Sequence, residues 1–109
     1  MNQKHLKDLF GIKLVKVTFD YGPVTNFTKI YDFVSVLSNL KPGQEVVVQC
    51  GGEDGLQFKT AQVVKVLPKS AIQDNPPFEY RFVLSNKGQG AKQALEAIEN
   101  TLEAIPLLK

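Results

Sequence analysis

The chain has no tryptophan, and cysteine, histidine and methionine occur once each. With Cys50 alone, no disulfide forms within the chain, and nothing points to an oxidising compartment. Structural zinc needs three or four ligands, and His5 and Cys50 supply two, so a site within one chain is excluded. No apolar run approaches the ~20 residues that cross a bilayer. The opening residues MNQKHLKDLFGIKL hold no long apolar stretch and no small-residue cleavage site, so a cytoplasmic location and no membrane partner are expected. Net charge is scarce as well. Thirteen basic against eleven acidic residues give +2, too little by itself to imply a nucleic-acid partner. Residues 1–94 hold twelve basic and eight acidic groups, and residues 95–109 one Lys and three Glu, so positive surface belongs to the body of the molecule.

What is present describes an ordinary folded domain. At 109 residues, with 43% hydrophobic and 22% charged residues, the chain suits one domain with a single core. We divide it into an N-terminal arm or short helix (1–11), a β region (12–86) and a C-terminal helix (90–105). In the arm, Leu6, Leu9 and Phe10 fall at i, i+3, i+4 and predict one apolar edge, stopped by Gly11.

From Ile12 the period changes to two. Val15, Val17, Phe19 and Tyr21 share one face and Lys16, Thr18 and Asp20 the other, which predicts a half-buried strand. Ile12 and Leu14 break that phase and are expected to cover the outer surface, under a helix. GPVTN is turn chemistry, and alternation from Phe27 to Phe33 predicts a second strand, whose mixed faces imply at least one exposed aromatic ring or a bulge. Pro42 and Gly43 fit the centre of a type II turn. The strand EVVVQC that follows holds three consecutive valines, the pattern of a strand covered on both sides. Between Leu56 and Leu67 the apolar parity changes twice, which predicts a bulge or sharp bend near Thr60 to Gln62. Phe78, Tyr80, Phe82 and Leu84 alternate cleanly with Glu79 and Arg81 outside. Ala91, Leu95, Ile98, Leu102 and Ile105 then repeat at helical spacing, and Pro106 is expected to end the helix.

Five extended segments and one amphipathic helix predict a mainly β (α+β) fold. The expected form is a small five-stranded SH3-like, partly open barrel with the helix packed on it, an OB-like barrel being the alternative.

The order V-K-V-x-F (Val15 to Phe19), an aromatic strand (Phe27 to Phe33), L-K-P-G-Q-x-V-V-V (Leu40 to Val48) and A-x-V-V-K-V (Ala61 to Val66) resembles small accessory proteins of bacteriophages and prophages. In those, a "K-x-G-D-x-V-V-V … V-V-x-V" core forms an SH3-like barrel, and here Gln44 stands where the Asp is usual. The resemblance implies binding to another macromolecule, a host or phage protein, and carries over no catalytic residue.

The stretch QCGGEDG, residues 49–55, has the look of chemistry. A phosphate-cradling loop leads into a helix and carries Lys and Ser/Thr at fixed spacing; here a strand follows and no such pair exists. Cys50 has no base beside it, and Glu53 and Asp54 would raise a thiol pKa. Nor do those two carboxylates complete a calcium loop. The segment reads as a glycine-enabled connection between strands, with Glu53 and Asp54 as an acidic tip that a partner protein could contact. Glu96, Glu99 and Glu103 read as the solvated face of the helix. No nucleophile, base and orienting group assemble, so we expect no enzyme and no cofactor.

Two interaction surfaces remain. Lys13, Lys16, Lys29, Lys59, Lys65 and Arg81 all fall on extended segments, and with Tyr21, Phe27, Tyr31 and Tyr80 as stacking surfaces they describe a face for single-stranded nucleic acid. The seam Leu95, Ile98, Leu102, Ile105 either covers its own barrel, the favoured reading, or joins two chains as a homodimer.

Overall fold

The computed structural model describes residues 3–52, 55–86 and 90–108. Its strands are β1 (Lys13–Thr18), β2 (Tyr31–Ser35), β3 (Glu45–Gly52), β4 (Gly55–Leu67) and β5 (Val83–Ser85), followed by helix α1 (Ala91–Leu108). They form one antiparallel sheet in the order β2-β1-β4-β3-β5, curled into a half-barrel. The two ends of the sheet touch. Val34 forms a parallel bridge with Phe82, and its N–H donates to the Arg81 carbonyl at 2.9 Å.

The apolar pattern sorts into two cores, one on each face of the sheet. Inside the curl lie Val15, Val17, Phe33, Leu40, Val46, Val48, Ala61, Val63 and Val83. On the outer face α1 contributes Ala91, Leu95, Ile98, Leu102 and Ile105, which pack with Ile12, Leu14, Val34, Val47, Phe82 and Leu84. The three valines of β3 therefore divide as expected for a strand covered on both sides: Val46 and Val48 face inward and Val47 faces the helix. Ile12 and Leu14, out of phase with the rest of β1, lie in the helix-side core for the same reason.

Local chemistry sets the connections. At the Pro42-Gly43 turn, Gly43 has φ +88°, the value only glycine adopts cheaply at that position. The Gln44 N–H donates to the Lys41 carbonyl at 3.2 Å, and the Gln44 side chain accepts from the Lys41 N–H at 3.1 Å. Gln44 thus supplies the side-chain acceptor that a short acid gives elsewhere. Ser35, fully buried, joins β2 to β5: its hydroxyl donates to the Val83 carbonyl at 2.8 Å and accepts from the Leu37 N–H at 3.1 Å. Ser35→Ala leaves both groups unsatisfied in the interior. Chemical denaturation should show a loss of about 1–3 kcal/mol.

Several elements differ from the sequence-based expectation. The arm is a single 3-10 turn, Leu6–Asp8, and the chain is already extended at Leu9. Leu6 and Leu9 are buried, whereas Phe10 falls off the helical spacing and is fully exposed. The second strand starts at Tyr31 rather than Phe27 because the preceding residues are held in a threonine-capped turn. On β1, Tyr21 lies beyond the strand and is exposed rather than in the core. The bulge on β4 comes at Val64, just past the expected stretch, where the register with β1 jumps from Lys16↔Lys65 to Val17↔Val63.

Tyr80, Phe82 and Leu84 are buried, with Glu79 and Arg81 exposed, but the ladder is confined to Val83–Ser85. At Tyr80 the Gln3 carboxamide takes the place of a strand partner, its Nε2 donating to the Tyr80 carbonyl at 2.5 Å and its Oε1 accepting from the Tyr80 N–H at 2.7 Å. Finally, α1 runs through Pro106 to Leu108. The proline forgoes one backbone bond close to the C-terminal end of the helix.

Candidate functional site

The connection between β1 and β2, together with the first residue of β2, carries a group of exposed apolar side chains. Tyr21, Val24, Phe27, Ile30 and Tyr31 are all exposed, Phe27 at 94%. The loop is nonetheless built. The Thr25 N–H donates to Thr28 Oγ1 at 2.9 Å, the Phe27 N–H donates to Thr25 Oγ1 at 3.2 Å, and the Thr28 N–H donates to the Thr25 carbonyl at 3.2 Å. These bonds satisfy the backbone locally, as Ser and Thr commonly do in turns. Gly22 ties the loop to the sheet, its N–H donating to Gln62 Oε1 at 3.3 Å. Phe19 anchors the base: its ring lies 5.4 Å from that of Tyr31 and 6.4 Å, edge-on, from that of Phe33. An apolar surface thus continues from the inner core out to the loop.

The basic residues singled out from the sequence do not share one face. Lys13 Nζ donates to the Leu37 carbonyl, and partial burial holds its pKa below the usual lysine value. Lys16 pairs with Asp32 at 2.8 Å. Lys65 lies directly across from Lys16 on the outer face. Lys59, opposite Val48, lies on the inner face, because the bulge at Val64 reverses the parity of β4 between the two lysines. Arg81 reaches to Gly51, its Nη1 donating to the Gly51 carbonyl at 3.5 Å. Lys29 is exposed within the apolar loop. Of the stacking candidates, Tyr21, Phe27 and Tyr31 are exposed and Tyr80 is buried.

Glu53 and Asp54 lie outside the described residues. Gln49, Cys50, Gly51 and Gly52 belong to β3 and Gly55 opens β4, with Gly52 paired to Gly55. Gly51 has a packing role there. A Cβ at this position would stand 2.9 Å from a terminal nitrogen of Arg81. Cys50, half-buried, pairs with Gln57 and packs against the inner core. His5 stands 3.2 Å from Asp8. Among the described residues, no three His, Cys, Asp or Glu side chains are close enough to share a metal ion.

The helical seam packs on its own barrel: Leu95, Ile98, Leu102 and Ile105 are each at most 8% exposed and lie in the chain's outer core.

A groove of about 610 Å³ separates the N-terminal arm from the loop before β5. Gln3 bonds Tyr80 across it, Lys7 pairs with Asp74 at 3.0 Å, and Phe78 packs edge-on against Tyr80 with centroids 5.0 Å apart. These contacts dock the arm.

No family model, curated protein or solved structure matches the chain. Among the described residues, no helix is long and apolar enough to cross a membrane.

Proposed function

We propose that the chain is a non-enzymatic protein-binding module of the kind found among small bacteriophage accessory proteins. On this reading an SH3-like half-barrel presents the β1–β2 loop to a host or phage protein in the cytoplasm. The observation that carries the proposal is the loop itself. Its backbone is satisfied by Thr25 and Thr28, yet Tyr21, Val24, Phe27, Ile30 and Tyr31 face solvent. Contiguous exposed apolar surface on a small domain marks an interaction site, and aromatic anchors dominate the energy of such sites.

Phe27→Ser tests this directly. The side chain is almost fully exposed, so the thermal melt should stay put while capture of the partner from a bacterial lysate falls at least tenfold, as for a truncated aromatic hot spot of about 1.4 kcal/mol or more. Equal capture by variant and parent would remove the loop from the interface.

A second reading rests on Lys29, exposed between Phe27 and Tyr31. Aromatic rings flanking a cation also suit single-stranded nucleic acid. A fluorescence anisotropy titration with an oligonucleotide distinguishes the two, because affinity for nucleic acid falls steeply with salt. Binding that is absent at low salt excludes this second reading.

A further inference from the structure

The hairpin of β3 and β4 is longer than the sheet that supports it. On one side β1 pairs with β4 only as far as Gln62, opposite Thr18. On the other, β5 reaches Val47 and Val48, and the Gln49 N–H makes a last bond to the Phe82 carbonyl at 2.8 Å. Residues 50–52 and 55–60 therefore form a two-stranded arm with no third strand beside it among the described residues. Its two edges are not alike. On the β3 side, the Arg81 guanidinium lies against Gly51 and bonds its carbonyl. Along the β4 side, no strand among the described residues lies beside Leu56, Phe58 and Thr60.

The direction of the backbone groups follows from the alternation of an antiparallel ladder. Gln49 turns its N–H outward to Phe82, so Phe58 opposite it turns its own N–H and C=O outward, away from β3. Leu56 and Thr60, two residues to either side, do the same. An edge of this kind is a template for another strand.

We propose that this edge pairs with the same edge of a second copy of the chain, antiparallel about a two-fold axis at Phe58. The spacing is self-complementary in that register. Phe58 faces the second copy's Phe58, and Leu56 and Thr60 face each other's counterparts, with two hydrogen bonds at each of the three facing pairs. Lys59 then lies opposite Gln57 of the other chain, so no like charges meet. Centring the axis on Thr60 drives Gln62 and Val63, already paired to β1, into the other chain, and centring it on Leu56 leaves only the turn to pair. Phe58, 37% exposed, stacks on its own copy at the axis. The register ends at Thr60, two residues before Gln62, where the β1–β2 loop is tied through Gly22, and the pairing uses the β4 backbone rather than the apolar side chains of that loop.

Sedimentation equilibrium of the full chain over a wide concentration range should show a monomer–dimer equilibrium. Gln57→Lys places a lysine opposite Lys59 twice per dimer and should weaken association by roughly 2- to 30-fold, and Gln57→Glu should strengthen it, both without moving the thermal melt recorded at concentrations where the chain is monomeric. In a Cys50→Ser background, Phe58→Cys brings two Cα atoms to about 5.5 Å and should yield a disulfide-linked dimer under mild oxidation. Thr60→Cys places its pair about 14 Å apart and should not. A chain that stays monomeric at every concentration overturns the proposal. So does a dimer unaffected by Gln57→Lys, or one in which Thr60→Cys cross-links as readily as Phe58→Cys.

Discussion

Phe82→Ala is expected to lower the unfolding free energy by about 3–5 kcal/mol, the range for removing a buried phenylalanine ring, and to reduce Tm by about 10–20 °C in a domain of this size. Phe82 is fully buried in the helix-side core, so the substitution opens a cavity between sheet and helix. Its backbone also bridges to Val34 of β2, where the two ends of the sheet meet, and accepts the Gln49 N–H of β3. These backbone contacts survive truncation of the ring, which predicts a destabilised but folded barrel rather than an opened one. Far-UV circular dichroism at low temperature should match the parent, with the loss confined to the melt. A loss below 1 kcal/mol would mean that the ring is not enclosed.

Leu102→Ala should cost about 2–5 kcal/mol and decides how the helix is partnered. Leu102 is fully buried among residues of the same chain, with Leu84 and Ile98 in its cluster. If the seam packs in cis, the loss relative to the parent is the same at every protein concentration, since any pairing through the β4 edge then stabilises variant and parent equally. A loss that shrinks as concentration rises would mean that a second chain completes the seam. Gln93→Ala, on the exposed face of α1, serves as the control and should shift stability by no more than about 0.5 kcal/mol.

The fold was legible where burial imposes a period. Alternation through Val15 and Val17, the unbroken valines of β3 and the seam of α1 each report how many faces of an element are covered, and the structure covers them accordingly. Reading failed where hydrogen bonding rather than burial decides the backbone. Phe27 to Ile30 alternate like a strand, but the hydroxyls of Thr25 and Thr28 capture the chain first. Tyr80 follows the right parity, yet its partner is the side chain of Gln3, 77 residues away, which no local pattern encodes.

The candidate site was less legible than the fold. Six basic residues on extended segments look like one face only while the parity of β4 is uninterrupted. The bulge at Val64 sends Lys59 and Lys65 to opposite sides, and Lys13 and Lys16 find partners in Leu37 and Asp32. The exposed apolar loop carried a usable signal, a turn motif rich in aromatic and aliphatic side chains. Tyr21, Phe27 and Tyr31 are named as stacking surfaces from the sequence, but assigning Phe27 to a strand hid that they gather around one loop.

The contact between Arg81 and Gly51 bears on how far assembly can proceed. A two-stranded arm bare on both sides would recruit a neighbour on each and propagate into an open-ended fibre, the hazard of any unprotected sheet. A glycine at position 51 admits the guanidinium against the backbone, and the carbonyl it occupies is no longer offered to another chain. In the dimer proposed above, growth would then proceed from one side only and end at a pair, with Arg81 as the terminator of the sheet.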